Sequence, residues 1–166
     1  TLTWQQTATG PIVTDNTHIL KLVHSTGASV DIDAIQISGP PTPVGAGTYD
    51  DSDPAWAYNG SWLTYTGPGP YNDTLHYSGT IGNYATLAFE GAQFILTHTG
   101  DPTRGQVQVY VDDNLEGTLS EYNTTLTWQQ TATGPIVTDD THVLKLVHAS
   151  GASVDIDAIQ ISGPPT

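Results

Sequence analysis

Apolar and polar residues alternate along this chain with a period of two, and a helical period is absent. The clearest stretch is Gln106 to Val111: Val107, Val109 and Val111 fall on one side, and Gln106, Gln108 and Tyr110 on the other. Leu87 and Phe89, Phe94 and Leu96, and Leu144 and Leu146 repeat the pattern within Tyr84 to Glu90, Gln93 to Thr97 and His142 to His148. Further strands are expected over 48–49, 55–58, 61–65, 74–77, 116–121, 126–131 and 154–161, with Trp128 directed inward. Gly, Pro, Asn and Asp punctuate these segments. Asn59-Gly60 reads as a tight turn between strands, Thr66-Gly67-Pro68-Gly69-Pro70 as a loop, and Asp112-Asp113-Asn114 as a hairpin turn. About eight to ten short strands predict an all-β fold, an antiparallel two-sheet jelly-roll sandwich.

The pattern also recurs on a larger scale. Residues 1–42 and 125–166 align at an offset of 124 and are identical at 38 of 42 positions. The differences are Asn16/Asp140, Ile19/Val143, Ser25/Ala149 and Thr26/Ser150. Copies this alike point to duplication within a tandem array. On that reading residues 1–39 are the C-terminal part of a preceding unit, 40–47 a Pro/Gly-rich linker, 48–162 one complete unit, and 163–166 the start of the next linker. The chain opens without Met and stops in a Pro-Pro segment that the first copy continues, so the natural protein is expected to extend both ways. A single domain with a duplicated arm is the competing reading. The first copy holds only the last strands of a sandwich. It therefore needs a partner: the missing strands of its own unit, or another chain through strand complementation.

Charge and composition narrow the function. Seventeen Asp and Glu stand against Lys21, Arg104 and Lys145, a net charge of −14. Such a chain repels nucleic acid and anionic membranes, so neither is expected as a partner. No apolar run reaches membrane-spanning length. Without Cys or Met there is no thiol chemistry and no soft-metal site. The histidines lack metal-binding spacing; His142 and His148 share a strand face, but six residues set them ~20 Å apart. No Ser or Thr is marked out beside a base and an orienting acid. Near-identical copies multiply binding or length, so an enzyme is not expected, and a glycoside hydrolase built on paired carboxylates is the third reading. Asn59, Asn72 and Asn123 open Asn-X-Ser/Thr sequons, candidate N-glycosylation sites on a secreted or cell-surface glycoprotein.

Several short segments, taken in order, carry a resemblance. They are Tyr49-Asp50-Asp51-Ser52-Asp53-Pro54, Tyr58-Asn59-Gly60-Ser61-Trp62, Leu75-His76-Tyr77-Ser78 and Ala88-Phe89-Glu90-Gly91. Arg104-Gly105, Val109-Tyr110-Val111-Asp112, Thr141-His142-Val143-Leu144-Lys145-Leu146 and Val154-Asp155-Ile156-Asp157-Ala158-Ile159 follow. This order resembles the galactose-binding-domain-like β-sandwiches, which include carbohydrate-binding modules and bacterial surface-protein repeats. The resemblance covers nearly the whole unit. It implies a jelly roll, frequent structural calcium and often sugar binding, without fixing a ligand.

It also implies that the two ends of the unit meet, so that Asp50, Asp51 and Asp53 join Asp155 and Asp157 around a calcium ion, a hard cation that takes six to eight oxygens. The competing reading has the first cluster capping a turn and Asp157 accepting backbone hydrogen bonds. Aromatic residues gather in the first part of the unit. Tyr58 and Trp62 match packed positions of the resembling family, while Trp56, Tyr65 and Tyr71 lie near the Gly-Pro loop as candidate sugar-stacking platforms. The first functional expectation is a structural repeat of an extracellular filament, sheath or surface fibre, with copies of itself as partners. The alternative is a carbohydrate-binding or adhesion module repeated for avidity on extracellular glycans. No cofactor beyond structural calcium is expected.

Overall fold

The computed structural model describes residues 20–32, 35 and 42–163. The chain divides into two compact units, Thr1–Pro40 and Pro41–Thr166. In the first, none of the described residues lies in a strand. Its Leu20, Leu22, Val23, Val30, Ile32 and Ile35 are exposed. The expectation that residues 1–39 close a preceding sandwich falls largely outside the described residues.

Among its described residues the second unit contains twelve strands. In chain order they are β1 (Gly47–Asp50), β2 (Ala57–Asn59), β3 (Leu63–Thr66), β4 (Thr74–Ser78), β5 (Tyr84–Gly91) and β6 (Gln93–Gly100). Then come β7 (Gln106–Val111), β8 (Asn114–Ser120), β9 (Thr127–Thr133), β10 (Asp140–Ser150), β11 (Val154–Ile156) and β12 (Ala158–Ser162). A five-stranded sheet runs β2-β5-β10-β7-β8, a four-stranded sheet β1-β12-β6-β9, and a three-stranded sheet β11-β4-β3. All pairings between these strands are antiparallel. The unit is the expected all-β sandwich with one small additional sheet.

The alternation along the sequence sets its core. Leu87 and Phe89 of β5, Val107 and Val111 of β7, and Leu144 and Leu146 of β10 bury one face of the five-stranded sheet. Phe94 and Leu96 of β6 with Ile159 and Ile161 of β12 bury the four-stranded sheet against them. Phe89 and Phe94 meet edge to face with ring centroids 5.8 Å apart. Between them the chain turns from one sheet into the other at Gly91, where a Cβ would stand 2.8 Å from the Ser162 carbonyl oxygen. Burial of such side chains at about 25 cal/mol per Å² is the main stabilising term of a cysteine-free domain.

Three local expectations change. Asn59-Gly60 does not close a hairpin: β2 pairs with β5 and β3 pairs with β4, so the turn links two sheets. The strand expected over 154–161 breaks at Asp157, with β11 on β4 and β12 between β1 and β6. The stretch 40–47 is not all linker: Val44 N–H donates to Ala88 O (3.0 Å), and Val44 O accepts from Glu90 N–H (2.8 Å). The hairpin at Asp112-Asp113 stands as expected, with φ of 50° and 63° at its two central residues, as a type I′ turn requires.

Candidate functional site

The ends of the unit do meet. Asp51 N–H donates to Asp157 O (2.9 Å), which places the end of β1 beside the break between β11 and β12. Asp51 and Asp157 are fully buried and Asp50 is half-buried. Asp51 has protein partners: Thr74 Oγ1 donates to Oδ1 (2.7 Å), and His76 Nδ1 lies 2.5 Å from Oδ2. The His76 ring stacks on Tyr58 at 4.3 Å, and Tyr58 OH donates to Asp51 O (2.7 Å). Asp157 Oδ1 accepts the Tyr71 N–H (2.8 Å). Asp157 Oδ2 and Asp50 Oδ1 are buried without a hydrogen-bond partner. Burial pushes the Asp157 carboxyl up to about 7; the Tyr71 N–H works against this, and the charges of Asp155, Asp51 and Asp50 add to it. Burial likewise raises Asp51, outweighing the hydrogen bonds from Thr74 and His76.

The five acids expected around one calcium ion therefore separate. Asp53 accepts the Ala55 N–H (2.9 Å) and caps its own turn. Asp155 belongs to a second buried centre. Its Oδ2 lies 2.7 Å from Arg104 Nε, an ion pair without hydrogen-bond alignment. Its Oδ1 accepts the Thr99 N–H (2.9 Å), and its own N–H donates to Glu121 Oε2 (2.9 Å). Burial raises both carboxyls, and the guanidinium opposes this at Asp155. The guanidinium and the Asp155 N–H also oppose the rise at Glu121, so both carboxyls of this centre lie above the ordinary range chiefly through burial. Asp50, Asp51 and Asp157 remain together. Two orphaned carboxylate oxygens in a wholly oxygen donor set suit a hard cation. Among the described residues, no three His, Asp or Glu side chains converge at metal-ligand spacing. A cation here would have to draw the carboxylates inward.

The Asp157–Tyr71 bond leads to the aromatic side of the unit. Residues 67–73 form a compact loop, with Gly67 N–H donating to Asp73 O (2.8 Å) and Asn72 and Asp73 at φ of 49° and 61°. Asn and Asp tolerate that left-handed region best among residues with a side chain. Gly69, at φ +128°, lies under the Trp128 indole, and a Cβ there would stand 2.4 Å from the ring. Trp128 stacks on Tyr65 with centroids 5.6 Å apart and planes 24° from parallel. Gln129 Nε2 donates to Gly69 O (3.0 Å) and ties β9 to the loop. Tyr65, Tyr71 and Trp128 are all half-buried.

The expected platform is corrected in part. Trp56 is only 6% exposed and belongs to the core, so it presents no face to a sugar. Trp128, expected inward, is half-buried and stacks on Tyr65. The Gly-Pro loop is the sequence signal that located this surface, but nothing local in β9 marked Trp128 as its partner. The sequons also differ. The Asn72 residue is exposed, whereas Asn59 and Asn123 are half-buried, and Asn123 Nδ2 already donates to Thr127 Oγ1 (3.0 Å).

No protein-family model matches the chain, and no curated protein sequence does. Solved structures do. A family 35 carbohydrate-binding module from an environmental isolate matches with TM-score 0.56 and 17% identity, over 72% of this chain and 97% of that one. A family 35 module from Clostridium thermocellum matches with TM-score 0.53 and 15% identity, over 70% and 98%. A family two carbohydrate esterase from Cellvibrio japonicus matches with TM-score 0.55 and 16% identity, but this chain covers only 34% of it. The chain thus shares the β-sandwich fold of these structures. Two of these neighbours, matched over nearly their whole length, are described as carbohydrate-binding modules.

Proposed function

We propose that the second unit is a carbohydrate-binding module acting outside the cell, with the Tyr65–Trp128 pair as its stacking platform. The observation that carries the reading is the half-buried aromatic pair seated on Gly69, beside a loop fixed from below by Asp157. Planar rings beside carbonyls and hydroxyls suit the apolar face and hydroxyl rim of a sugar. The similarity in fold to modules of that kind supports it. A net charge of −14 favours neutral or basic glycans over acidic ones.

The acidic end plays a supporting part. Calcium bound through Asp50 Oδ1 and Asp157 Oδ2 would neutralise buried charge and hold the loop through Tyr71. Asn72 is the sequon open to glycosylation. The filament reading draws its support from the near-identity of the copies and the exposed apolar residues of the first unit; the neighbours lend it none. Among the described residues, no helix is long and apolar enough to cross a membrane.

The test is affinity electrophoresis through gels cast with a panel of neutral polysaccharides. We expect retardation by at least one, loss of about tenfold or more in affinity for Trp128→Ala and Tyr65→Ala, and retention of affinity by Tyr110→Ala. Unretarded migration on every gel, or unchanged retardation of both platform variants, would sink the proposal.

A further inference from the structure

Residues 125–162 supply the centre of the second unit. Their β10 lies between β5 and β7, their β12 lies between β1 and β6, their β9 covers the far edge of β6, and their β11 pairs with β4. Without them the five-stranded sheet falls into β2-β5 and β7-β8, and β1 loses its partner. The remaining strands, β1 to β8, thus enclose a slot that only a matching set of four strands can fill.

The chain carries the sequence of that set twice. The four differences between the copies fall at exposed Asp140 and half-buried Val143, Ala149 and Ser150. Every fully buried residue of the slot's occupant is the same in the upstream copy. Leu144, Leu146, Val154, Ile156 and Ile159 are 0 to 3% exposed. Their counterparts Leu20, Leu22, Val30, Ile32 and Ile35 are 55 to 65% exposed.

The connection is also long enough. Ser162 O accepts the Ala92 N–H, and Val44 O accepts the Glu90 N–H, so the exit of β12 and the entry at Val44 flank the same three residues. Ser38, the counterpart of Ser162, is joined to Val44 by the five residues Gly39 to Pro43. Six peptide links reach about 20 Å when extended, against a gap on the order of two residues plus two hydrogen bonds.

We infer that residues 1–42 are a second occupant for this slot, able to replace residues 125–166 and close the same sandwich from the N-terminal side. One slot then has two interchangeable keys, and whichever copy is displaced becomes the free one. Exchange requires the resident strands to leave, so it is slow and follows global unfolding of the unit.

The experiment uses the full chain and its lack of cysteine. Lys145 stands opposite Tyr110 across β10 and β7, and Lys21 is its counterpart. In the triple variant Ile159→Asp, Lys21→Cys, Tyr110→Cys, refolded under oxidising conditions, we expect an intrachain disulfide and a cooperative melt. Adding Ile35→Asp should abolish both, while Ile35→Asp alone should melt like the parent. Absence of the disulfide in the triple variant overturns the inference. A disulfide found only between chains overturns closure within one chain.

Discussion

Asp155 and Asp157 stand two residues apart, flank the same isoleucine and are both buried, yet they occupy opposite electrostatic situations. Asp155 has a guanidinium 2.7 Å away, a backbone N–H on its other oxygen and the buried Glu121 carboxyl accepting its own N–H. Asp157 has one backbone N–H, an orphaned oxygen and two further aspartates as neighbours. The first centre closes on itself and welds β11 to the loop after β6. The second leaves unbalanced negative charge under the 67–73 loop, which lies beside the aromatic pair. A compensated buried centre is a structural fixture; an uncompensated one is where a cation or a proton has work to do.

The largest effect that tests this contrast is at Arg104. Replacing it with Met leaves Asp155 buried without its cation, and breaking a buried pair this way costs about 3–5 kcal/mol. The urea midpoint of Arg104→Met should fall accordingly, and Arg104→Met/Asp155→Asn should recover most of the loss. A single variant as stable as its parent would show that Asp155 does not depend on the guanidinium, and the two centres would no longer differ.

How far this was legible in the sequence follows from the range of each interaction. Val107, Val109 and Val111 announced their strand because alternation is local, and Asp112-Asp113 announced their turn for the same reason. The break at Asp157 was hidden because Val154 to Ile161 is apolar enough to read as one strand. Only its partners, β4 on one side and β1 with β6 on the other, divide it. The Arg104–Asp155 pair joins residues far apart in sequence, so no spacing exposes it. Trp56 is buried and Trp128 half-buried, the reverse of what was expected, because an indole suits a core and a partly exposed stack equally. Gly69, which admits the Trp128 ring, lies on a different segment.

A smaller effect sharpens the other side of the contrast. A ligand that binds only the folded state at a hundred times its Kd stabilises it by about 2.7 kcal/mol. Millimolar calcium should therefore raise the melting temperature of the parent by several degrees, and magnesium less, because it dehydrates reluctantly. Asp157→Asn and Asp50→Asn should each remove most of the rise, while Asp53→Asn should keep it, since Asp53 caps its own turn. A rise that survives Asp157→Asn would place the ion elsewhere.

The smallest effect per unit of change is in pH, and its sign is diagnostic. In EDTA, the Asp157 carboxyl titrates at about 7 when folded, against an ordinary 3.8. Between those values the folded state holds a proton that the unfolded state has released. The stability contributed by this group therefore falls as pH rises through that window, by at most about 1.4 kcal/mol per pH unit. Asp157→Asn should flatten this component of the slope, because an amide still accepts the Tyr71 N–H through its oxygen and never ionises. Saturating calcium should flatten it too, because the cation favours the carboxylate that burial disfavours. Arg104→Met shifts the whole curve down, so slope and offset report the two aspartates separately. A parent whose EDTA stability rises between pH 4 and 7, with Asp157→Asn following the same curve, would mean that Asp157 is as well compensated as Asp155, and that its orphaned oxygen has a partner of its own.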